Sequence, residues 1–416
     1  MATLLPAQTA IHQISTGNGY GKSAYYKFAD GASQQIAHDA WDIAFSNLGP
    51  QQAGIFVNES TASVNGQPGP AVEAYDPLVF DFNETIDPGI LLPEQQLFNP
   101  EHSWAEGAFN TGRDTSNALD YGWGGYDPNL QKIVGYRVFA LKLRDGTYRK
   151  ISFDEYTGAS FTFRVANLDG SNLSTHTINT TPGNGSPLVY FSLGAAGSNV
   201  PTATDWDLVF CRYVALLADG SGGLLPYFVT GVLTADGYQT ARAAGIDPAT
   251  VDHVPYLDSL SHRLDIIGHD WKYFDLTSGW SVLDNRAYFV KTKQNQLYKL
   301  VWVDFGGAST GTATLERTYL GELSAAPDLP AGISGVLVYP NPAADQAYLS
   351  LSATQASTAV LGLFDAAGKK TWSGKAPVHA GLTVLELPLS SLPAGGYTLR
   401  VELPGGQFAR QVVVGR

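Results

Sequence analysis

Three histidines provide the residue type best suited to ligand chemistry in this sequence. His253, His262 and His269 fall in one stretch of a chain that has only eight histidines, and Arg242 and Arg263 lie close to them in sequence. Imidazole nitrogens ligate transition metals, and guanidinium groups pair with carboxylates. These five residues are therefore the candidate binding residues. The alternative is that each histidine sits on the surface or in a turn and is satisfied by hydrogen bonds.

The sequence has no complete catalytic motif in a suitable structural context. The chain has no His-Glu-x-x-His pattern and only one Cys, so it has no Cys pair with zinc spacing. Gly307-Ala-Ser309-Thr-Gly311 matches a nucleophile motif, but it lies in a turn between two predicted strands and not between a strand and a helix. Asp154 and Asp304 occupy matching positions in a repeat and are expected to bind turn amides. We therefore predict a non-catalytic protein without a dedicated metal site.

The composition limits the class of protein. The net charge is −13 and no Lys/Arg cluster is present, which argues against nucleic-acid binding and against an anionic membrane surface. No run of about eighteen apolar residues exists, so no membrane span is predicted. The start of the sequence lacks the basic and apolar regions of a signal peptide. The 416 residues suffice for two or three domains, and the many Gly, Pro, Ser, Thr, Tyr and Val residues favour strands and turns.

A sequence pattern that occurs twice indicates the domain organisation around the candidate binding residues. Its opening blocks are Tyr25-Tyr26 followed by Trp41-Asp-Ile-Ala-Phe45, and Tyr190-Phe191 followed by Trp206-Asp-Leu-Val-Phe210. The second aromatic lies fifteen positions before the Trp in both blocks (41 − 26 and 206 − 191). A later block repeats at an offset of 150, from Phe139, Tyr148 and Asp154 to Phe289, Tyr298 and Asp304. These matched positions indicate a tandem duplication of an antiparallel β domain.

Local patterns predict several elements inside the copies. Trp41, Ile43 and Phe45 alternate with other residues, which predicts one buried strand face. Residues 46–130 are rich in turn formers and are expected to form a long irregular stretch that lines a ligand site. Arg144-Asp-Gly146 between apolar runs predicts a hairpin, and the alanine-rich residues 238–245 predict a short helix.

The end of the sequence predicts a separate small domain. Residues 322–332 are aperiodic and include two Pro, which is typical of a linker. Six short predicted strands with turn signals between them follow at 336–339, 347–351, 358–364, 383–387, 396–402 and 408–414. This spacing is typical of a small Ig-like β-sandwich at residues 333–416.

This last domain resembles the type A C-terminal sorting domain of the type IX secretion system of Bacteroidetes. The residues that carry the resemblance are Tyr339, Pro340, Asn341, Pro342, Gly368, Gly396 and Tyr397. The resemblance implies that the type IX secretion machinery is a partner and that the protein is secreted or held at the outer cell surface. It also favours a signal peptide that the given sequence does not include.

Residues 10–320 resemble two tandem copies of the HmuY family of secreted haem-binding proteins. The shared features are the two Trp-Asp blocks, the two later blocks and the segment Ile267-Gly-His-Asp-Trp271. The resemblance implies that the ligand is haem and that its site lies between the Trp strand and the late hairpin. In the second copy this region holds His253, His262 and His269, so the resemblance implies His253 with His262 or His269 as iron ligands.

The same resemblance implies partners for the haem propionates. These are Arg242, Arg263 and Lys272, three cations in the same region of the second copy. The only Met is Met1, so a methionine ligand is not expected. The first copy has only His102 in the matching region, and it is therefore not expected to bind haem by itself.

The predicted protein is thus all-β and has three domains. HmuY-like antiparallel β domains are predicted at 1–175 and 176–321, a linker at 322–332 and the sorting domain at 333–416. The predicted function is non-catalytic binding at the cell surface or in the medium, with capture of haem or porphyrin for iron acquisition. The alternative is a surface carbohydrate- or protein-binding module that kept the fold without haem. In that case Trp104, Tyr121, Trp123 and Tyr126 would form an exposed stacking surface.

Overall fold

The computed structural model describes residues 8–50, 52–117, 119–194, 197–323, 329–330, 332–365 and 368–415. The chain divides into two compact units, Met1–Gly321 and Glu322–Arg416. Nearly all of the regular structure consists of short antiparallel strands, which confirms the predicted all-β class.

The strands of the first unit fall into two series. The first series is β1 Gln8–Ser15, β2 Lys22–Tyr26, β3 Ser33–Ala37, β4 Ile43–Ser46, β5 Ile55–Val57, β6 Ser63–Val64, β7 Gln67–Pro68, β8 Glu73–Val79, β9 Gln96–Leu97, β10 Gly124–Asp127, β11 Lys132–Gly135, β12 Val138–Lys142, β13 Tyr148–Tyr156, β14 Ser160–Ala166, β15 Ser174–Asn179, β16 Leu188–Ser192 and β17 Ser198–Val200. The second series is β18 Leu208–Ala218, β19 Leu224–Thr234, β20 Gln239–Ala244, β21 Lys272–Asp275, β22 Gly279–Val282, β23 Arg286–Lys291, β24 Gln296–Phe305 and β25 Thr312–Glu322.

Helices are short in the described residues of this unit. The four-residue helix α1 spans Gly307–Thr310, and 3-10 turns occur at Asn18–Tyr20, Pro88–Ile90, Pro93–Gln95, Ala108–Asn110 and Val254–Ser259. Between β5 and β10 only β8 is longer than two residues among the described strands, so most of residues 46–130 forms the irregular stretch that the turn-rich sequence predicts.

Two local predictions have different outcomes. The turn at Asp145-Gly146 joins β12 to β13, and Asp145 Oδ1 accepts hydrogen bonds from the Thr147 amide and hydroxyl, which confirms the hairpin. The helix predicted at 238–245 is wrong, because Gln239–Ala244 form β20. All six residues of β20 pair with β23, and this pairing outweighs the helix propensity of alanine.

The late blocks of both copies form equivalent sheets. In the first copy the strand order is β8–β12–β13–β14–β15, so the predicted hairpin β12–β13 pairs with β8 on one side and with β14 on the other. In the other, the order β20–β23–β24–β25–β1 repeats this arrangement. The N-terminal strand β1 therefore occupies in the second sheet the position that β15 occupies in the first.

The opening hairpins also complete sheets that belong to the other copy of the repeat. The hairpin β16–β17 pairs with β4 and completes the sheet β17–β16–β4–β5, whereas the hairpin β2–β3 pairs with β18 in the sheet β19–β18–β2–β3. We call residues 38–200 body one, and residues 8–37 together with 203–321 body two. Body one is continuous in sequence, and body two is completed by the first three strands of the chain. The division predicted at residues 175 and 176 stays a prediction, but strand pairing crosses it.

The repeated Trp-Asp motif joins each Trp strand to its hairpin. The Asp42 amide donates to Phe191 O at 2.9 Å, and its carboxylate accepts from the Leu193 amide at 2.7 Å. The Asp207 amide likewise donates to Tyr26 O at 2.8 Å, and its carboxylate accepts from the Phe28 amide. The motif is therefore a polar clamp between two strands as well as a source of core aromatics.

The buried-face prediction holds for only part of this motif. Ile43 and Phe45 are fully buried in the core of body one, but Trp41 lies on the other side of its strand and stacks on Tyr190 with ring centroids 4.5 Å apart. Trp206 does share the core of body two with Leu208. Both Trp residues lie two positions before the first residue of their strands, Ile43 and Leu208, so the alternation within the strand does not fix their faces.

The second unit is a β-sandwich. Its strands are β26 Ile333–Tyr339, β27 Gln346–Ala353, β28 Ser357–Phe364, β29 Lys370–Val378, β30 Gly381–Pro388, β31 Gly395–Leu403 and β32 Gly406–Val414. They form the sheets β26–β27–β30 and β29–β28–β31–β32, which share one apolar core. Most of the predicted linker, at 324–328 and 331, lies outside the described residues.

The predicted sorting residues occupy turns and strand ends of this sandwich. Tyr339 ends β26, and Pro340 and Pro342 flank Asn341, whose side chain donates to Gln411 O at 3.0 Å and accepts from the Val413 amide at 2.8 Å. Gly368 has a φ of 78°, which favours glycine in the turn after β28. Gly396 pairs with Val413, and the buried Tyr397 donates through its hydroxyl to Pro393 O at 2.8 Å.

Candidate ligand-binding groove

An open groove in the first unit combines aromatic rings with buried cations. It has a volume of about 900 Å³ and is lined by the rings of Tyr20, Tyr227, Phe228, Tyr273, Phe274 and Trp280. We call it the aromatic groove. Most of its wall comes from body two, and the short hairpin β6–β7 of body one contributes Ser63 and Gln67. Its size lies in the range of small-molecule sites.

Four of the rings face solvent. Tyr227 is 62% exposed, Phe274 56%, Tyr273 50% and Trp280 40%. Large apolar rings of this kind are usually buried, and a cluster of exposed ones marks a binding surface. The short sheet β21–β22 pairs Phe274 with Trp280 across its strands and holds their rings edge to face at 5.4 Å.

Arg212 is the cation on the wall that β18 contributes. It is only 9% exposed, and its Nη1 donates to Thr61 O at 3.2 Å. Its guanidinium lies 5.3 Å from the centroid of the Tyr20 ring and 5.9 Å from that of Phe228. No carboxylate in the described part of the chain pairs with it, and its buried Nε has no hydrogen-bond partner. A buried charge of this kind is costly unless an anion meets it.

Two further nitrogen groups line the aromatic groove. Lys272 is 8% exposed, and its Nζ donates to Thr230 O and, at 3.2 Å, to His269 O. Burial lowers the pKa of Lys272 to about 7. Burial and the nearby Lys272 lower the pKa of His269, so its ring is neutral at neutral pH. The lining residues include no Asp or Glu, although the whole chain is acidic.

The three predicted histidine ligands lie in three different surroundings. His269 lines the aromatic groove. His262 is exposed, and its Nδ1 lies 3.2 Å from Tyr238 O in another pocket that also contains His102. His253 precedes the 3-10 turn at Val254–Ser259, and its Nδ1 lies 3.3 Å from the Asp252 carboxylate. The predicted pairing of His253 with His262 or His269 therefore has no support in the placement of these residues.

The predicted propionate partners divide in the same way. Arg242 pairs with Asp270 at 2.9 Å and Arg263 pairs with Asp265, and neither lines the aromatic groove. Of the three predicted cations only Lys272 does so. The carboxylate that pairs with Arg242 is twenty-eight residues away in sequence, and the one that pairs with Arg263 is two residues away. The residue types alone do not show that these arginines are already paired.

Asp154 was predicted to bind turn amides, and this is wrong. Both of its carboxylate oxygens accept from Arg164, at 2.8–3.0 Å, across the neighbouring strands β13 and β14. A cross-strand ion pair is the better partner because Arg164 offers two N–H groups to one carboxylate. This pairing leaves Asp154 a structural part of its sheet.

The alternative stacking surface also needs correction. Trp123 is fully buried, and its Nε1 donates to Ala53 O at 2.9 Å. Trp104 is half-buried and donates through Nε1 to Thr234 O at 2.9 Å, which ties body one to body two. Only Tyr121 and Tyr126 remain as neighbours in a surface cleft of about 590 Å³. The four rings therefore do not form one exposed surface.

A second, much smaller site lies between the two bodies. It has a volume of about 90 Å³, and the buried Glu59 lines it beside Cys211. Glu59 accepts from the Asn99 amide at 2.7 Å and from the Val214 amide of body two at 3.3 Å. Burial raises the pKa of Glu59 to about 8 and that of Cys211 to about 12. The volume is too small for a drug-sized ligand, so this site is a less suitable candidate than the aromatic groove.

Sequence reasoning missed Arg212 and the exposed aromatic rings. Arg212 does leave one signal, because it is the only charged residue in the otherwise apolar strand β18. A cation in such a strand is either paired or functional. Tyr273 and Phe274 follow Trp271-Lys272 directly, and nothing in their spacing distinguishes a surface hairpin from a buried strand.

Neither a metal cluster nor a membrane helix is found in the part of the chain that the structure describes. Within the described ranges, no group of three or more His, Cys, Asp or Glu residues is placed so that it could hold a metal ion. Among the same residues, no helix has the length and apolar character needed to cross a membrane.

Comparison with known proteins identifies the second unit. Residues 337–415 match the secretion system C-terminal sorting domain. The chain therefore carries the signal of a protein sorted by the type IX system, which is secreted or displayed at the cell surface. The HmuY-like resemblance of residues 10–320 stays a prediction.

No curated protein matches this chain. The solved structures with weak similarity to this chain include the following two. Dimeric latent PorU from Porphyromonas gingivalis is 12% identical with a TM-score of 0.18, covering 70% of this chain and 33% of PorU. Escherichia coli alpha-2-macroglobulin activated by porcine elastase is 8% identical with a TM-score of 0.18, covering 98% of this chain and 53% of that one. The chain spans a third and about half of these proteins, and such TM-scores define no shared fold.

Proposed function

We propose that the first unit is a non-catalytic ligand-binding module of a secreted or cell-surface protein. Its ligand is a flat, largely apolar molecule that carries a carboxylate. The observation that carries this proposal is Arg212, a buried cation without a carboxylate partner among the described residues, in a groove whose lining includes no acid. An anionic group of the ligand would supply the missing partner.

The exposed rings give the reason for a flat ligand. Tyr227, Tyr273, Phe274 and Trp280 present apolar faces and edges along one groove. Stacking on such rings favours planar molecules and adds to the burial of apolar surface. A carboxylate at one end and a planar body along the rings fit this distribution of groups.

A porphyrin is the specific ligand that we propose, with iron acquisition as the purpose. Its propionates suit Arg212, its planar ring suits the aromatic faces, and haem iron takes an imidazole ligand. His269 is the histidine that lines the aromatic groove, so the groove fits haem with one protein ligand and not with the predicted pair. The volume of about 900 Å³ is compatible with a ligand of this class.

Titration of the full chain with protoporphyrin IX and with haemin tests the proposal. We expect both to bind at micromolar concentrations, and we expect Arg212→Met to weaken both roughly 10- to 100-fold, because it removes a charge-assisted hydrogen bond. Trp280→Ala should also weaken both. His269→Ala should change the Soret spectrum of haemin and leave protoporphyrin binding intact.

Arg263→Met and His253→Ala are the matched controls, since both residues lie outside the aromatic groove. They should bind like the wild type. Absence of binding by either porphyrin, or equal effects of Arg212→Met and Arg263→Met, would contradict the proposal. Thermal unfolding of each variant shows whether a loss of binding comes from a loss of folding.

A surface glycan is the second candidate. Tyr121 and Tyr126 line a separate cleft of about 590 Å³, and flat rings also stack on sugars. Tyr126→Ala would then reduce binding of a neutral polysaccharide, whereas Trp280→Ala would not. The reverse pattern would place glycan binding in the aromatic groove.

A further inference from the structure

Three hairpins of the first unit expose apolar side chains around the aromatic groove. They are β6–β7, the outer half of β18–β19, and β21–β22, and residues of all three line the groove. We call residues 63–68, 216–227 and 273–280 the three tips. Because the tips border one opening, a single partner surface can meet all of them.

The tip of β18–β19 is a ribbon that is apolar on both faces. Residues 216–227 are exposed without interruption. Leu217 pairs with Leu225 on one face, while Leu216 and Leu224 lie on the other face. Leu224 is 62% exposed and Leu225 59%. Leucines are usually buried, so four of them at the end of one ribbon mark an interaction site.

The free edge of β19 does not favour the addition of a further strand. The Val232 amide uses this edge to donate to Gly268 O at 2.9 Å. Backbone groups alternate in direction along a strand, so the nitrogen of Pro226, six residues earlier, faces the same edge. Proline has no N–H to donate, and prolines in this position protect edge strands from pairing. The partner therefore binds through the side chains of the tip and not through its backbone.

The other two tips also end in apolar residues. Leu276, in the turn of β21–β22, is 96% exposed, and Val64 is exposed beside the turn of β6–β7. Aromatic residues follow nearer to the sheets, with Tyr273 and Trp280 on β21–β22 and Tyr227 on β19. Tyr and Trp rings favour the layer between water and an apolar medium. The tips thus combine apolar ends with rings suited to an interface.

The charges of the tips restrict the partner further. No Lys or Arg occurs in the three tips, and their acids are Asp219 and Asp275. An anionic lipid layer would therefore repel them. A zwitterionic phospholipid layer has its cationic ammonium groups outermost, which complements these two carboxylates. A lipid layer also accommodates three separate tips without a complementary shape.

We propose that the three tips dock the first unit on a zwitterionic phospholipid surface. The apolar ends of the tips reach the boundary between headgroups and acyl chains, and the Tyr and Trp rings lie at the level of the headgroups. Docking stays at this interface, because a carboxylate is costly at acyl depth. The aromatic groove then opens toward the lipid, so an apolar ligand can pass between them without crossing bulk water.

The inference goes beyond the proposed function and does not depend on the ligand of the groove. Leu225 and Leu276 do not line the aromatic groove, and Arg212 lies outside the three tips. Variants at these positions therefore separate lipid docking from porphyrin binding.

Flotation of the full chain with phosphatidylcholine vesicles tests the proposal. We expect binding that does not weaken when NaCl is raised from about 0.1 M to about 1 M, because no cation of the tips contributes. Replacing about a third of the lipid by phosphatidylglycerol should weaken it. Leu225→Gln and Leu276→Gln should each weaken it roughly tenfold, since each removes a leucine from the apolar contact. Leu173→Gln, at an exposed position of body one, is the matched control and should bind like the wild type.

Fluorescence gives a second readout. Trp280 is the one exposed Trp side chain in the part of the chain that the structure describes. Vesicles of dibrominated phosphatidylcholine should quench the fluorescence of the wild type, and Trp280→Phe should lose most of this quenching.

Absence of binding to phosphatidylcholine vesicles would overturn the proposal, and so would binding that requires phosphatidylglycerol or an equal loss in Leu173→Gln. Sedimentation that shows dimers sensitive to Leu225→Gln, without vesicle binding, would assign the tips to a second copy of the chain and also overturn it. Vesicle binding by Arg212→Met, together with porphyrin binding by Leu276→Gln, would support both proposals separately. Vesicle binding without porphyrin binding would support this inference and remove the proposed function, and the reverse result would do the opposite.

Discussion

A chain that starts at residue 38 will lose the cooperative unfolding of body two and keep that of body one. The deletion removes β1, which pairs with β25 through eight residues, and β2, which pairs with β18. It also removes Ile14, Tyr25, Tyr26 and Phe28 from the core of body two. Loss of each buried aromatic side chain costs about 3–5 kcal/mol, and a domain is stable by only about 5–15 kcal/mol.

Calorimetry and limited proteolysis check this expectation. The truncated chain should show the transition of body one and cleavage throughout residues 203–321. A peptide of residues 8–37 added in trans should restore protection, and the same residues in scrambled order should not. As a point variant, Phe28→Ala should lower stability by about 3–5 kcal/mol, while Leu173→Ala at an exposed position should have little effect. An unchanged unfolding profile of the truncated chain would show that body two does not need these strands.

The stability that protonated Glu59 contributes to the first unit will fall as the pH rises from about 4.5 to about 8, and Glu59→Gln will remove this contribution to the pH dependence. Burial raises the pKa of Glu59 to about 8 from an ordinary value of 4.5. Between these values the folded state keeps a proton that the unfolded state has released, so a higher pH favours unfolding. The contribution is fully present below the lower value and is lost through the upper one, at up to about 1.4 kcal/mol per pH unit.

Urea unfolding of the first unit at pH 5, 6.5 and 8 measures this effect. The uncharged amide that Glu59→Gln introduces would resemble the protonated acid, so the variant should gain most over the wild type at pH 8. Glu94→Gln, at an exposed position, is the matched control and should follow the wild type. Parallel pH profiles of Glu59→Gln and the wild type would mean that Glu59 ionises at its ordinary pH in the folded protein.

Much of the second unit could be predicted from sequence because its local signals agree with one another. All six predicted strands are present, and their turns lie where Gly and Pro mark them. The strand β29 was missed. It forms the edge of its sheet, and its inward positions are Trp372, Gly374, Ala376 and Val378, of which two are small, while Pro377 lies within the run, so the apolar alternation is weak.

The partners of the opening hairpins could not be predicted. The two copies are equivalent in sequence, so Tyr26 is as compatible with the strand after Trp41 as with the strand after Trp206. Only the tertiary structure distinguishes them, and it pairs Tyr26 with Leu208 and Phe191 with Ile43. Duplication was readable from the motifs, but the choice between neighbouring and distant pairing was not.

The sequence predicted the region of the chain that contributes to the candidate site, but not most of the residues that line it. Residue types directed attention to the histidines of the second copy, and His269 and Lys272 do line the aromatic groove. Arg242 and Arg263 were chosen for their charge, yet Asp270 and Asp265 already neutralise them. Arg212 matters for the opposite reason, since it lacks such a partner among the described residues. Whether a charge is already paired depends on distances in space, which one sequence does not contain.

The completion of body two by β1 has a consequence for the order of events during synthesis. Thr9 and Thr318, which share a hydrogen bond, are 309 residues apart in sequence, so β1 leaves the ribosome long before its partner strand exists. Contacts this distant form late, and unpaired strand edges meanwhile favour aggregation. Body one is continuous and can assemble once residue 200 has been made. Among the described strands of the first unit, β1 therefore waits longest for its partner.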